Sequence, residues 1–269
     1  MPRYLTLLRL FWSTSVAAEM EYRTNFVLAC VNALGNMVGS VFIVNVLFLK
    51  MNALGGYTYA EALIVVGFFF LLEGFSNTVM RQNLSRIVTH VRDGTLDFIL
   101  LKPIDSQFWL SARNCSPWGM PSIVLGLALI AYGGWRENFT PLNYLMGIPP
   151  LILGLVILYS LWFILGATAI WFVKVANLTH VLYQLLEAGR FPVTAYPAAY
   201  TFFFTFIVPV AFLTTFPAHL MIGRADLQSM MHASAPALLL LAAGIALALL
   251  GFSRWFWRFA LRFYTSASS

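Results

Sequence analysis

Six stretches of this chain are apolar and long enough to cross a lipid bilayer, and its positive charges fall almost entirely to one side of them. A hydrocarbon core about 30 Å thick takes about 20 helical residues to span, because an α-helix rises about 1.5 Å per residue. Hydropathy predicts spans at roughly 25–49, 61–80, 117–133, 146–172, 199–222 and 236–253. With the N-terminus cytoplasmic, the inside segments hold Arg3, Arg9, Arg23, Arg81, Arg86, Arg92, Lys102, Arg113, Lys174, Arg190, Arg254, Arg258 and Arg262. The outside loops hold Lys50, Arg136 and Arg224. Thirteen of the 16 basic residues are then inside, and the opposite orientation inverts the positive-inside rule. The expected fold class is an all-α membrane protein: one transmembrane domain over 1–269, with six transmembrane helices and both termini cytoplasmic.

Composition agrees. The chain is 60% hydrophobic and only 10% charged, against about 25% charged in an ordinary soluble domain. The net charge of +6 is not a nucleic-acid footprint, because the basic residues sit at span ends, where they anchor helices and meet anionic lipid. The two cysteines, Cys30 and Cys115, fall in different spans, which argues against a disulfide, and neither has metal-site company. No phosphate-cradling Gly-x-x-x-x-Gly-Lys-Ser/Thr loop is present: Lys50, Lys102 and Lys174 follow Leu, Leu and Val. There is also no His-Glu-x-x-His and no Gly-x-Ser-x-Gly. The chain is not expected to be an enzyme or to bind a cofactor or metal itself.

Residues 1–23 form an amphipathic helix with Tyr4, Leu5, Leu8, Phe11 and Trp12 on one face, suited to the inner membrane interface or to packing on protein. The first span carries Asn25, Asn32, Asn36 and Ser40 on one face beside Gly35-x-x-x-Gly39. Amides facing lipid lack partners, so this face meets protein, as a helix seam or along a substrate path. Glu73 is the one carboxylate well inside the second span, near Phe69; it serves either a pathway or a helix-pinning hydrogen bond. The cytoplasmic loop 81–113 continues as a helix, stops at Gly94 and mixes basic, acidic and apolar residues, as a contact surface does. Asp105 or Ser106 can cap the helix that follows. The segment 174–198 reads as a second cytoplasmic loop with an amphipathic helix along the inner interface, ended by Gly189. Pro209 and Pro217 break the fifth span, so the chain after Pro209 can bend back.

At Val91-Arg92-Asp93-Gly94-Thr95-Leu96-Asp97-Phe98-Ile99-Leu100-Leu101-Lys102-Pro103 the sequence resembles the membrane subunits of type-2 ABC transporters. Phe191-Pro192, Tyr196-Pro197, the run Ile207–Phe212 and Phe216-Pro217-Ala218 are similar to a subfamily of short, six-helix export permeases. The resemblance implies type-2 ABC exporter architecture: two six-helix subunits, identical or related, with two separate ATP-binding subunits that hold ATP and Mg. It implies a bacterial inner-membrane location and efflux of drugs, lipids, glycoconjugates or polysaccharides. It makes the stretch around Thr89–Leu96 a coupling helix seated in the ATPase. The implied ATPase-coupling residues are Arg86, His90, Arg92, Asp93, Gly94, Thr95, Leu96, Asp97 and Phe98, with Leu96 and Phe98 filling apolar recesses. Asn32, Asn36, Phe69 and Glu73 are candidates for the substrate path or dimer seam. The competing class is an autonomous proton- or ion-coupled carrier that uses Glu73 and no ATPase.

Overall fold

The computed structural model describes residues 2–21, 23–172, 175–223 and 235–265, and among these the regular structure is helical throughout. The amphipathic N-terminal helix α1 (Pro2–Glu19) leads into α2 (Arg23–Phe48). Next comes α3 (Tyr59–Phe75), which runs through one π-helical turn, Ser76–Met80, into α4 (Arg81–Arg92). Two short helices, α5 (Leu96–Leu100) and α6 (Ser106–Ala112), precede α7 (Met120–Arg136) and α8 (Pro141–Ala167). The remaining helices are α9 (Val175–Glu187), α10 (Ala198–Phe202), α11 (Thr215–Ile222) and α12 (Ala235–Ala260).

Among the described residues, five helical stretches are long and apolar enough to cross a membrane: Arg23–Phe48, Tyr59–Arg92, Pro117–Arg136, Pro141–Ile170 and Ala235–Phe263. The predicted span 199–222 is not a continuous crossing. Its helix runs through a π-helical turn, Phe203–Ile207, and ends at extended Val208. Pro209, with no N–H to donate, then redirects the chain. Phe212 lies beside Gly154 and Met221 beside Gly147, so the returning limb climbs α8 back toward that helix's N-terminus. Asn143 Nδ2 donates to the Met221 carbonyl at 3.0 Å and fixes the top of this limb. Pro217 does not break α11: it sits in the first turn, where an N–H has no intrahelical partner anyway. The segment 198–222 is therefore a helical hairpin that dips into the bundle.

The predicted loop 174–198 also departs from expectation. Tyr183 lies against Glu73 and Arg81, Arg190 reaches Ser40 and Phe69, and Thr194 Oγ1 donates to the Gly55 carbonyl at 2.8 Å. Gly55 precedes α3, whereas Arg81 follows its π-turn, so this segment travels nearly the full length of α3 rather than lying flat at one end. The amphipathic pattern misleads here because it describes only part of the segment: Leu182 is buried and His180 and Gln184 are exposed, while Tyr183 turns to Glu73 and Glu187 pairs with Arg190. The side chains of Asn177 and Leu178, and Lys174 and Arg224, lie outside the described residues.

The bundle is organised on the antiparallel pair α3–α7, its most extensive helix contact. Gly67 and Gly74 on α3 face Gly126 and Gly119, with Ala60 opposite Gly133, at intervals of seven residues on each helix. A Cβ at Gly126 would sit 2.7 Å from the Gly67 carbonyl oxygen, and one at Gly67 would sit 2.8 Å from that of Gly126. The two backbones therefore touch, which only glycine allows. The upper end is closed by a capping box between Thr58 and Glu61 and by Thr58 Oγ1 donating to Glu137 at 2.8 Å.

Gly126→Leu should destabilise the protein by about 1–3 kcal/mol through overpacking. It should lower the unfolding temperature in detergent, whereas Gly244→Leu, at a position with open space, should not. Equal unfolding temperatures for the two variants would contradict the close backbone contact.

Candidate functional site

The α4–α5 turn is a rigid, partly apolar knob at the end of the longest helix. Along α4, Asn83, Leu84 and Ile87 face inward while Arg86 is exposed. Asp93 closes the helix and Gly94 adopts φ +69°, the left-handed conformation that its place in the sequence predicts. His90 Nδ1 and Thr95 Oγ1 lie 2.7 Å apart and lock the turn from inside, while exposed Arg92 pairs with Asp93 at 2.9 Å. Phe98 and Leu101 project from it, 69% and 82% exposed. Lys102 stacks over the Trp109 ring at 3.6 Å.

Leu96 does not share this surface. It is 0% exposed and belongs to the protein's own core with Ile99, Leu84 and Ile87, so it is not free to fill a partner's recess. Its heptapeptide neighbours Asp93, Asp97 and Phe98 are on the accessible side or at its margin. Leu101, which the sequence reading passed over, is there too.

The knob is braced to the bundle twice. Asn83 Nδ2 donates to the Asn114 carbonyl at 2.7 Å, and Asn83 Oδ1 accepts from the Asn114 backbone N–H at 2.9 Å. Asp105 caps α6 by accepting from the Phe108 N–H at 2.9 Å, and its carboxylate takes a two-pronged contact from the Arg254 guanidinium on α12. Gln107 donates to Tyr159 on α8 at 3.1 Å, and Trp257 Nε1 to Ser106 at 3.0 Å. Helix α1 packs its aromatic side on α6 through Tyr4–Phe108 and Phe11–Trp109, and Glu19 accepts from Trp118 Nε1 at 2.7 Å. Leu5 and Leu10 remain exposed, so the two environments proposed for this helix share it.

Glu73 sits apart from that knob, deep between α3, α8, α9 and the hairpin. Tyr183 donates to its Oε1 at 3.3 Å. Glu187 pairs with Arg190 at 2.5 Å, and Arg190 donates to buried Ser40 at 3.1 Å while lying 4.8 Å above the Phe69 ring. Phe69 and Glu73 are thus brought together. Asn32 and Asn36 are not part of this cluster: they bond to each other at 3.1 Å on a face of α2 that no described residue covers at Gly35 and Gly39. Tyr183, Glu187 and Arg190 were missed by sequence reasoning, although their spacing of four and three residues marks one helix face. No group of three or more His, Cys, Asp or Glu able to hold a metal occurs among the described residues.

These features define a multi-pass helical membrane protein that carries a braced α4–α5 turn and a buried polar cluster. The family model for ABC-2 family transporter proteins matches residues 34–268, and the chain belongs to that family as a transporter permease. Neither the curated proteins nor the solved structures contain a match to this chain.

Arg254 and the α6 N–H hold the Asp105 carboxyl below the usual carboxylate range. A depressed folded-state pKa means that the clamp's contribution is complete above about pH 4, the ordinary Asp value, and is lost as pH falls through the lower folded value. Asp105→Asn should cost about 1 kcal/mol or less at pH 7, since the pair is partly exposed. Below pH 4 the melting curves of mutant and unsubstituted protein should converge; a gap that widens there would contradict the clamp.

Proposed function

We propose that this chain is the membrane half of an ATP-driven exporter in a bacterial inner membrane, paired with a second copy or a related permease. ATP and Mg bind and react in separate ABC subunits. The reading is supported by family membership, which implies an ATP-binding ABC partner, and above all by one observation: the braced α4–α5 turn exposes Phe98 and Leu101 beside Arg92 and Asp93. An apolar pair ringed by charge is costly in water and suits burial in a protein groove.

In this reading the turn faces the cytoplasm, as the distribution of basic residues favours. Arg86, His90, Arg92, Asp93, Gly94, Thr95, Asp97 and Phe98 form or shape the docking surface, with Leu96 anchoring it from within. The segment 175–195 supplies the sixth crossing, and the hairpin 198–222 hangs from the outer side. Only Arg190 then leaves the inside set, so the charge bias persists. Closure of the ATPases pushes the turn; α4 and the Asp105–Arg254 clamp pass that displacement to α3 and α12. The uncovered α2 face with Asn32, Gly35, Asn36 and Gly39 forms the seam to the second permease subunit, and exposed Trp255 and Phe259 meet lipid.

The test is co-expression and co-purification with an ABC ATPase from the same genome. Phe98→Glu with Leu101→Glu should abolish ATPase recovery while leaving the permease folded; Asn52→Glu, exposed in the loop between α2 and α3, is the control and should leave recovery unchanged. Unchanged ATPase recovery in the double variant, or proton-driven transport by the chain alone, would overturn the proposal.

A further inference from the structure

Three buried polar atoms face one small cavity where α3, α8 and the returning limb of the hairpin meet. Glu73 Oε2, Trp162 Nε1 and Thr214 Oγ1 have no hydrogen-bond partner within the described protein. All three residues line the cavity, whose remaining wall mixes apolar residues such as Leu72, Leu158 and Leu213 with Ser76, Asn77, Tyr183 and Glu187. Trp162 is 4% exposed and Thr214 2%, so bulk water does not satisfy them. Buried polar groups in folded proteins are almost always bonded, and three orphans converging on one space point to a guest.

The chemistry of the wall selects that guest. An indole N–H only donates, an ionised carboxylate only accepts, and a threonine hydroxyl does both. A cation cannot accept from Trp162, and an anion cannot donate to Glu73. Water does both, and it still fits if Glu73 carries a proton, by accepting in place of donating. The cavity offers about 40 Å³ of room for water. At about 10–15 Å³ per water on this scale, it holds about three or four molecules, which share these polar partners and bond to one another.

We propose that this cavity is an internal hydration site whose waters bridge Glu73, Trp162 and Thr214. The hairpin limb is thereby joined to α3 and α8 at this point through water rather than by direct side-chain bonds. The site belongs to one protomer and does not depend on the ATPase reading, so the two stand or fall separately.

Hydroxyl-radical labelling by short X-ray pulses, read by mass spectrometry on the full chain in nanodiscs, tests it, because bound water generates radicals beside buried side chains. Trp257 is the internal reference: it is 1% exposed, but its indole N–H is already bonded to Ser106. Trp162 should be oxidised several-fold faster than Trp257. In the double variant Glu73→Leu, Thr214→Val its rate should fall to that of Trp257. Equal rates for the two tryptophans in the unsubstituted protein would overturn the proposal, as would a Trp162 rate unchanged in the folded double variant. If the double variant does not fold, the comparison in the unsubstituted protein decides alone.

Discussion

Backbone-to-backbone contact between α3 and α7 is the constraint on which the rest of the bundle is hung. In a bilayer there is little hydrophobic gain from bringing two apolar helices together, since lipid tails are as apolar as leucine. Packing has to supply the attraction, and it is greatest when side chains do not hold the helices apart. The glycines at 67, 74, 119, 126 and 133 remove that spacer at every second turn. The pair then forms a rigid plate: α2 packs on it, α11 and the segment after α9 pack on α3, and α8 packs in turn on α11.

A rigid plate matters for a permease because a push at one end is useful only if it arrives at the other. The α4–α5 turn is the continuation of α3, interrupted by the π-helical turn Ser76–Met80, where Thr78 donates to the Gly74 carbonyl at 2.8 Å and accommodates close approach of Gly119. The Asn83–Asn114 brace ties that continuation to the start of α7, and the Asp105–Arg254 clamp ties the next loop to α12. Both braces are polar, short in reach and placed near the end of the bundle, where the bilayer gives way to headgroups and water. Deeper in, direct polar contacts are fewer and concentrate around Glu73.

Much of the architecture was legible because its causes are local. Span length, the Gly94 turn and the Asp105 cap each follow from a few neighbouring residues, and the structure has all three. The segment 174–198 was misread because its causes are not local: the pattern of α9 does not reveal that Tyr183 meets a buried Glu73. Pro209 signals that the chain after it can bend back, but not that the returning limb climbs α8. Leu96 was assigned to a partner's groove on its motif, yet the same apolar side chain serves the protein's own core. The glycine ladder was visible as a spacing of seven, but it becomes meaningful only when two helices are known to face each other.

The central claim is that the chain crosses the membrane between the α4–α5 turn and the start of the hairpin. Single cysteines at Phe98 and Ala195, both exposed, in a background with Cys30 and Cys115 replaced by serine, measure it directly with a membrane-impermeant maleimide in intact cells. The account predicts labelling of the cysteine at 195 from outside and of that at 98 only after permeabilisation. Labelling of both positions from the same side would contradict it.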